Sequence, residues 1–218
     1  MRSDNGSSNY SGVRELIVSP ELIAIVHELK TVQLPGELAE QCSPNEFVLL
    51  RIDSGSKPTV CRYRKDQTVA LHIPVNSMLS SRNKEQSWAF ELLHDETTQL
   101  VTLTGAAGTG KTIIALSAGL SQLSSSRYSR LIVTRPVIPL GRDMGHLPGT
   151  LEEKMDPWLS PIKDNLEFIF RSVVTQNKQK KSQQRMSVQS MIESGTLEIQ
   201  AISHVRGRSL PNAYIVID

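Results

Sequence analysis

At 218 residues and 39% apolar content, the chain has room for one large domain or a small one beside a medium one, with enough apolar residues to build real cores. Its formal charge of +2 and isoelectric point near 8.6 are too mild to signal a nucleic-acid binder by bulk charge. Cys42 and Cys61 stand apart without CxxC spacing, which argues against a disulfide framework or zinc site and favours free thiols in a reducing cytoplasm. No signal-peptide core opens the chain, and no run approaches the ~18 apolar residues needed to span a bilayer.

Residues 1–12 are polar and rich in Ser, Asn and Gly, which predicts a disordered lead-in or linker. A short strand, "ELIV", precedes "SPELIAIVHEL". There Ser19 is placed as an N-cap, Pro20 at the first helical position and Glu21 in the first turn, with Leu22, Ile25, Val26 and Leu29 on one face. A three-stranded meander follows, "EFVLLRI", "TVCRY" and "TVALHI", joined by the turn-rich "DSGSKP" and "RKDQ". Residues 13–79 therefore read as a small β-rich unit. From Asn83 to His94 the pattern is helical. Beyond it, "LVTLT", a helix over Lys111–Leu123, "RLIVT", a helix over Trp158–Phe170, "TLEIQAI" and "AYIVID" alternate. Apolar runs alternating with helices predict an α/β unit with parallel strands covered on both faces. Between Arg171 and Ser190 lie five Lys/Arg and no Asp/Glu, which reads as a solvated loop.

The stretch "GAAGTGKT" matches G-x-x-x-x-G-K-[ST] at Gly105, Gly110, Lys111 and Thr112, between an apolar run and a helix. A chain wrapping a phosphate closely must avoid Cβ atoms. The small residues Ala106, Ala107 and Gly108 let backbone N–H groups point inward, and Thr109 completes the candidate nucleotide-binding loop. The helix N-terminus adds its partial positive charge. Lys111 is expected to reach the β- and γ-phosphates of a nucleotide, and the Thr112 hydroxyl to hold Mg2+. Phosphoryl transfer needs a second carboxylate for the metal, and "AYIVID" delivers Asp218 to a strand end where it would serve. Without the glycine loop, Asp218 would read as an ordinary strand-end aspartate.

The loop alone specifies ATP or GTP binding and little more. The surrounding "RNKEQSWAFELL", "LIVTRPVIPLGRDMGHLPGTLEEKMDPWLSPIKDNL" and "HVRGRSLPNAYIVID" make residues 82–218 resemble the PhoH-like ATPases, relatives of superfamily 1 helicases. The "TRP…G…LPG…EK…DP" block is more specific than the glycine loop. The resemblance implies an incomplete RecA-like P-loop core behind the β-rich unit. That unit is similar to the connector of members carrying an N-terminal PIN-type ribonuclease, for which residues 1–12 leave no room.

What the resemblance implies at individual residues is limited. Gln86 is similar to the helicase glutamine that reads adenine's edge, an amide suiting a site that must donate and accept. Thr134, Arg135 and Pro136 match an element that contacts single-stranded nucleic acid, here RNA; Arg135 would equally suit a helix cap or a carboxylate partner. Arg142, Arg206 and Arg208, bracketed by glycines, suit a nucleic-acid grip, a neighbouring subunit's γ-phosphate in a ring oligomer, or plain ion pairing. Trp158 reads as core packing. His94, His146 and His204 have no metal-ligand spacing.

Members of the family continue past "VID" with a catalytic glutamate and coupling motifs, so the sequence reads as a fragment in which ATP binding survives and hydrolysis is crippled. Two other readings stay open. A small-molecule P-loop kinase would need a lid and an acceptor pocket; a non-catalytic nucleotide- or RNA-binding module would bind ATP without turnover.

Overall fold

A computed structural model describes residues 11–136, 151–176 and 187–218, and the chain divides into two compact units, Met1–Pro74 and Val75–Asp218. In the first, β1 (Val13–Ile17) leads through α1 (Pro20–Leu29), β2 (Thr31–Gln33) and α2 (Gly36–Ala39) to the meander β3 (Phe47–Arg51), β4 (Thr59–Tyr63) and β5 (Thr68–Leu71). The sheet runs β1-β3-β4-β5-β2, with β1 parallel to β3 and the other neighbours antiparallel.

Helix α1 starts where its sequence dictates. Ser19 is extended and its hydroxyl accepts the Leu22 N–H at 3.3 Å, while Pro20 takes the first turn, where no N–H is needed. The helix ends at Lys30, left-handed at φ 65°, whose N–H bonds the Val26 carbonyl. Its buried stripe is narrower than the periodicity suggests. Val26 is buried with Leu22 and Ile23 packed beside it, whereas Ile25 and Leu29 are 40% and 64% exposed. A short helix lying on one sheet covers only the stripe that faces the sheet. Leu16, Val48, Leu50, Cys61, Tyr63 and Val69 complete this core. The sequence pattern does not reveal β2, which is too short to show alternation, or the parallel partner of β1.

The second unit opens with α3 (Lys84–His94) and α4 (Lys111–Ser124), then β6 (Arg130–Arg135), α5 (Leu151–Gln176), α6 (Val188–Glu193), β7 (Leu197–Ala201), a 3-10 turn (Ile202–Val205) and β8 (Ala213–Ile217). Strands β7, β6 and β8 form a parallel sheet in that order, giving the α/β class expected of a RecA-like core. Its core joins Leu131, Val133, Val216 and Leu197 of the strands to Leu116 and Leu120 of α4, Ile162, Leu166 and Ile169 of α5, and Met191 of α6. Gly119 sets how closely α4 lies on the sheet. A Cβ there would stand 2.8 Å from Leu131 Cδ1 and 2.9 Å from the Tyr214 ring.

Three expectations need correction. The "LVTLT" stretch is no strand: residues 99–104 join no ladder, Leu100 is 85% exposed, and Leu103 instead packs on the small cluster of Phe90, Ile114 and Ala118. An apolar run becomes a strand only where a partner strand meets it, and among the described residues none does. The helix expected over Trp158–Phe170 extends over Leu151–Gln176. The stretch read as a loop to Ser190 contains the end of α5 and the start of α6, which Ser187 caps through the Ser190 N–H at 3.0 Å. Residues 1–10, 137–150 and 177–186, and with them Arg142 and His146, lie outside the described residues, as does the Trp158 side chain. Among the described residues no helix is long and apolar enough to cross a membrane.

Candidate functional site

The glycine loop reaches α4 through a backbone that only glycine takes easily: Gly105, Gly108 and Gly110 have φ of 150°, 78° and 89°. Gly110 is the N-cap of α4, and neither a side-chain cap nor an acidic residue occupies the helix start, so its first N–H groups keep their partial positive charge. Lys111, the first helical residue, folds back along the loop, its Nζ donating to the Gly105 and Ala106 carbonyls at 3.0 and 2.8 Å. The Thr109 hydroxyl donates to the Ala106 carbonyl at 2.9 Å. A lysine held by neutral carbonyls at a helix N-terminus is an ammonium prepared to exchange weak partners for an anion.

Gln86 lies against this loop. Asn83 caps α3 by accepting the Gln86 N–H at 2.8 Å, which fixes the glutamine in the first turn. Its Oε1 accepts the Arg82 N–H at 2.8 Å and its Nε2 donates to the Thr109 carbonyl at 3.2 Å. A carboxamide has two donor hydrogens and two lone pairs, so each end retains capacity for a further partner. Gly110 is small for the same contact, since a Cβ there would come within 3.3 Å of Gln86 Nε2.

The opposite wall of the site is the end of the sheet. Val133 and Val216 are register partners in the core, so two residues further on Arg135 and Asp218 emerge on that same face, next to the start of α4. The Asp218 N–H donates to the Thr134 carbonyl at 2.9 Å, holding the last residue of the chain in the ladder direction. Thr112 donates its hydroxyl to Asp218 Oδ1, a contact between residues 106 apart in sequence. Oδ2 of the same carboxylate lies 3.8 Å from Arg135 Nε. A hydroxyl and a carboxylate side by side beside a phosphate-type loop are hard oxygen donors, and such a set fits Mg2+, which takes few protein ligands and shares the rest with phosphates and water.

The other nominated residues are distributed differently. Thr134 shares the strand end, but it is 1% exposed and its hydroxyl is buried without a partner, so contact with an outside strand would require the covering groups to move. Pro136 is exposed. Arg208 is engaged along β7, with Nη2 2.9 Å from Glu198 Oε2 and Nη1 donating at 3.1 Å to Oε1 of Gln200, the register partner of Thr134; Arg130 pairs with Glu198 Oε1 at 3.2 Å. Arg206 is exposed on the turn after the 3-10 segment, and His204 is exposed within it.

The sequence reading overlooked Ser117 and Ser121. Ser121 Oγ accepts the Met78 N–H and Ser117 Oγ the Leu79 N–H, each at 3.1 Å, and both hydroxyls meet Ser77 Oγ at 3.2 Å (Ser117) and 3.1 Å (Ser121). Two serines at i and i+4 on an otherwise apolar helix face were the available signal. They fasten the segment leading to Gln86 onto the helix that begins at Lys111.

Residues 78–218 match the sequence pattern of the PhoH-like protein family. Protein PhoH2 of Bacillus subtilis (strain 168) is 36% identical over 215 residues, covering 96% of this chain and 47% of that protein. Protein PhoH2 of Thermobispora bispora is 31% identical over 215 residues, covering 97% of this chain and 45% of its own length. A PhoH-like protein of Synechocystis is 36% identical over 115 residues, 52% of this chain and 31% of that protein. The chain thus spans slightly less than half of these two PhoH2 proteins. With a lysine-bearing glycine loop at the head of α4 and a parallel sheet ending beside it, the chain belongs to the PhoH-like protein family.

Proposed function

We propose that residues 75–218 bind ATP with Mg2+ and form part of an ATPase that remodels or unwinds RNA. The observation that carries the nucleotide reading is the meeting of Thr112 with Asp218 across 106 residues, immediately beside Lys111 and its glycine loop. The backbone N–H groups of the loop and of the first turn of α4 receive the phosphate oxygens, and Lys111 leaves the Gly105 and Ala106 carbonyls to neutralise the terminal phosphates. Thr112 and Asp218 hold the Mg2+, which when bound neutralises charge developing on the transferred phosphoryl group. Gln86, already donating to Thr109, uses its remaining amide capacity on the adenine edge.

The RNA part rests on the resemblance of the Thr134–Pro136 element to nucleic-acid-contacting segments of helicases, a ring assembly of a longer protein on the family resemblance, and a cytoplasmic location on the free thiols of Cys42 and Cys61. Arg135 and the exposed Pro136 at the strand end support it.

The test is a titration with a fluorescent ATP analogue. Lys111→Ala is expected to weaken Mg-nucleotide binding by about 10- to 100-fold, the scale of losing a charge-assisted hydrogen-bonding group, while leaving the melting temperature unchanged. Unchanged affinity would overturn the site assignment. Tight binding without RNA-stimulated turnover in a protein of the relatives' full length would remove the remodelling part and leave a nucleotide-binding module.

A further inference from the structure

The pairing of Arg135 with Asp218 bears on more than RNA contact. The two residues close adjacent parallel strands, β6 and β8, on the face that carries α4, and their backbones are locked together by the Asp218 N–H to Thr134 carbonyl bond. The carboxylate is shared between two different partners. Oδ1 takes the Thr112 hydroxyl, and Oδ2 faces the Arg135 guanidinium at 3.8 Å.

We propose that Arg135 is the resident counter-ion of Asp218, displaced when Mg2+ enters, and that it thereby sets how much Mg2+ the site requires. This inference rests on the assignment of Thr112 and Asp218 to the metal. A divalent ion drawn to Asp218 competes with the guanidinium for the same negative charge and repels it at short range. The pair is built to yield. Its separation is at the long end for an ion pair, and the two side chains keep 37% and 24% of their surface exposed, so water replaces the lost contact at little cost. A deeply buried pair would hold the arginine in place against the metal. Once displaced, the guanidinium stands at the strand end beside the exposed Pro136, where its planar fork of donors suits a phosphate oxygen. By linkage, any anion that captures Arg135 lowers the Mg2+ requirement, and Mg2+ promotes capture of that anion. Arg135 is therefore a positioning residue that makes metal loading and anion contact at the strand end interdependent.

The experiment uses the full chain and reads the Mg2+ concentration that half-saturates binding of a fluorescent ADP analogue. Arg135→Gln is expected to lower that midpoint about two- to fivefold, the scale of a partly exposed ion pair, with affinity in excess EDTA unchanged. Arg135→Lys, which keeps the charge with a different reach, is expected to fall between, and serves also should the glutamine variant fold poorly. In an Asp218→Asn background the Arg135→Gln effect is expected to vanish. An unchanged or raised midpoint in Arg135→Gln overturns the proposal. So does an equal drop in the Asp218→Asn background, which would mean a general charge effect in place of competition for one carboxylate. If Asp218→Asn alone leaves the Mg2+ midpoint unmoved, the metal assignment itself has failed, and the inference falls with it.

Discussion

His94 shows how one side chain at the end of α3 ties stability to pH. Its Nδ1 meets the Phe90 carbonyl at 2.8 Å, and its Nε2 is buried without a partner. Burial, opposed by the bond to Phe90 and aided by the nearby Arg127, holds its pKa below the ordinary 6.5. Arg127 itself is paired with Glu96 at 3.0 Å and donates to the His94 carbonyl at 3.3 Å. The folded protein thus takes up this proton later than the unfolded chain does. The contribution is complete above about pH 7 and is lost as pH falls through the window from 6.5 down to the lower folded value. Urea melts from pH 8 to 5 are expected to show a decline that His94→Gln flattens. Equal slopes for the two proteins would show that this imidazole is not responsible. At the same scale, the place of Lys111 at the head of a helix was legible in the sequence, because it follows from its neighbours along the chain. The burial of Thr134 was not legible there, because it depends on residues distant in sequence.

Among the elements, α4 has the most tasks: it begins at the glycine loop, packs its Leu116 and Leu120 into the core, and accepts the 77–79 segment on Ser117 and Ser121. Ser117 is fully buried, so its hydroxyl must be satisfied where it stands. Removing both hydroxyls strands the Met78 and Leu79 N–H groups, at about 1–3 kcal/mol for each group left unpaired. The double replacement Ser117→Ala, Ser121→Ala is expected to destabilise the second unit by about 2 kcal/mol or more and to speed amide exchange at Met78 and Leu79. If exchange at those two amides stayed slow, the serines would not be what holds the segment. Elements with local signatures were legible: Ser19 and Asn83 cap helices from their own positions, and the β6 run shows its burial directly in its apolar sequence. The 99–104 run, as apolar as β6 in part, failed as a strand because pairing belongs to two segments at once.

At the scale of the whole molecule, two separate cores divide the chain at Pro74, one gathered around Val48, Leu50 and Cys61, the other around Leu131, Val133 and Leu166. Among the described residues each unit has a core of its own, so thermal or urea unfolding is expected in two transitions. Mg-nucleotide, bound only by the second unit under the proposed function, should raise that transition alone, by an amount that grows with the logarithm of ligand concentration. A single transition moving as one with nucleotide would show that the units unfold together.

The amino-acid sequence by itself determined the pieces whose physics is local. These are the glycines that admit left-handed backbone, the lysine one residue behind them, the helix caps, and the apolar runs that become β6, β7 and β8. Only the tertiary structure decided what those pieces meet. It brought Thr112 to Asp218 across 106 residues, turned Arg135 onto the same carboxylate, and set Gln86 against the Thr109 carbonyl. It also tied Arg208 to Glu198 and left residues 99–104 outside the sheet. The reason is the same in every case: a backbone preference is a property of a few neighbouring residues, whereas a carboxylate's partner depends on which strands pair and in which register.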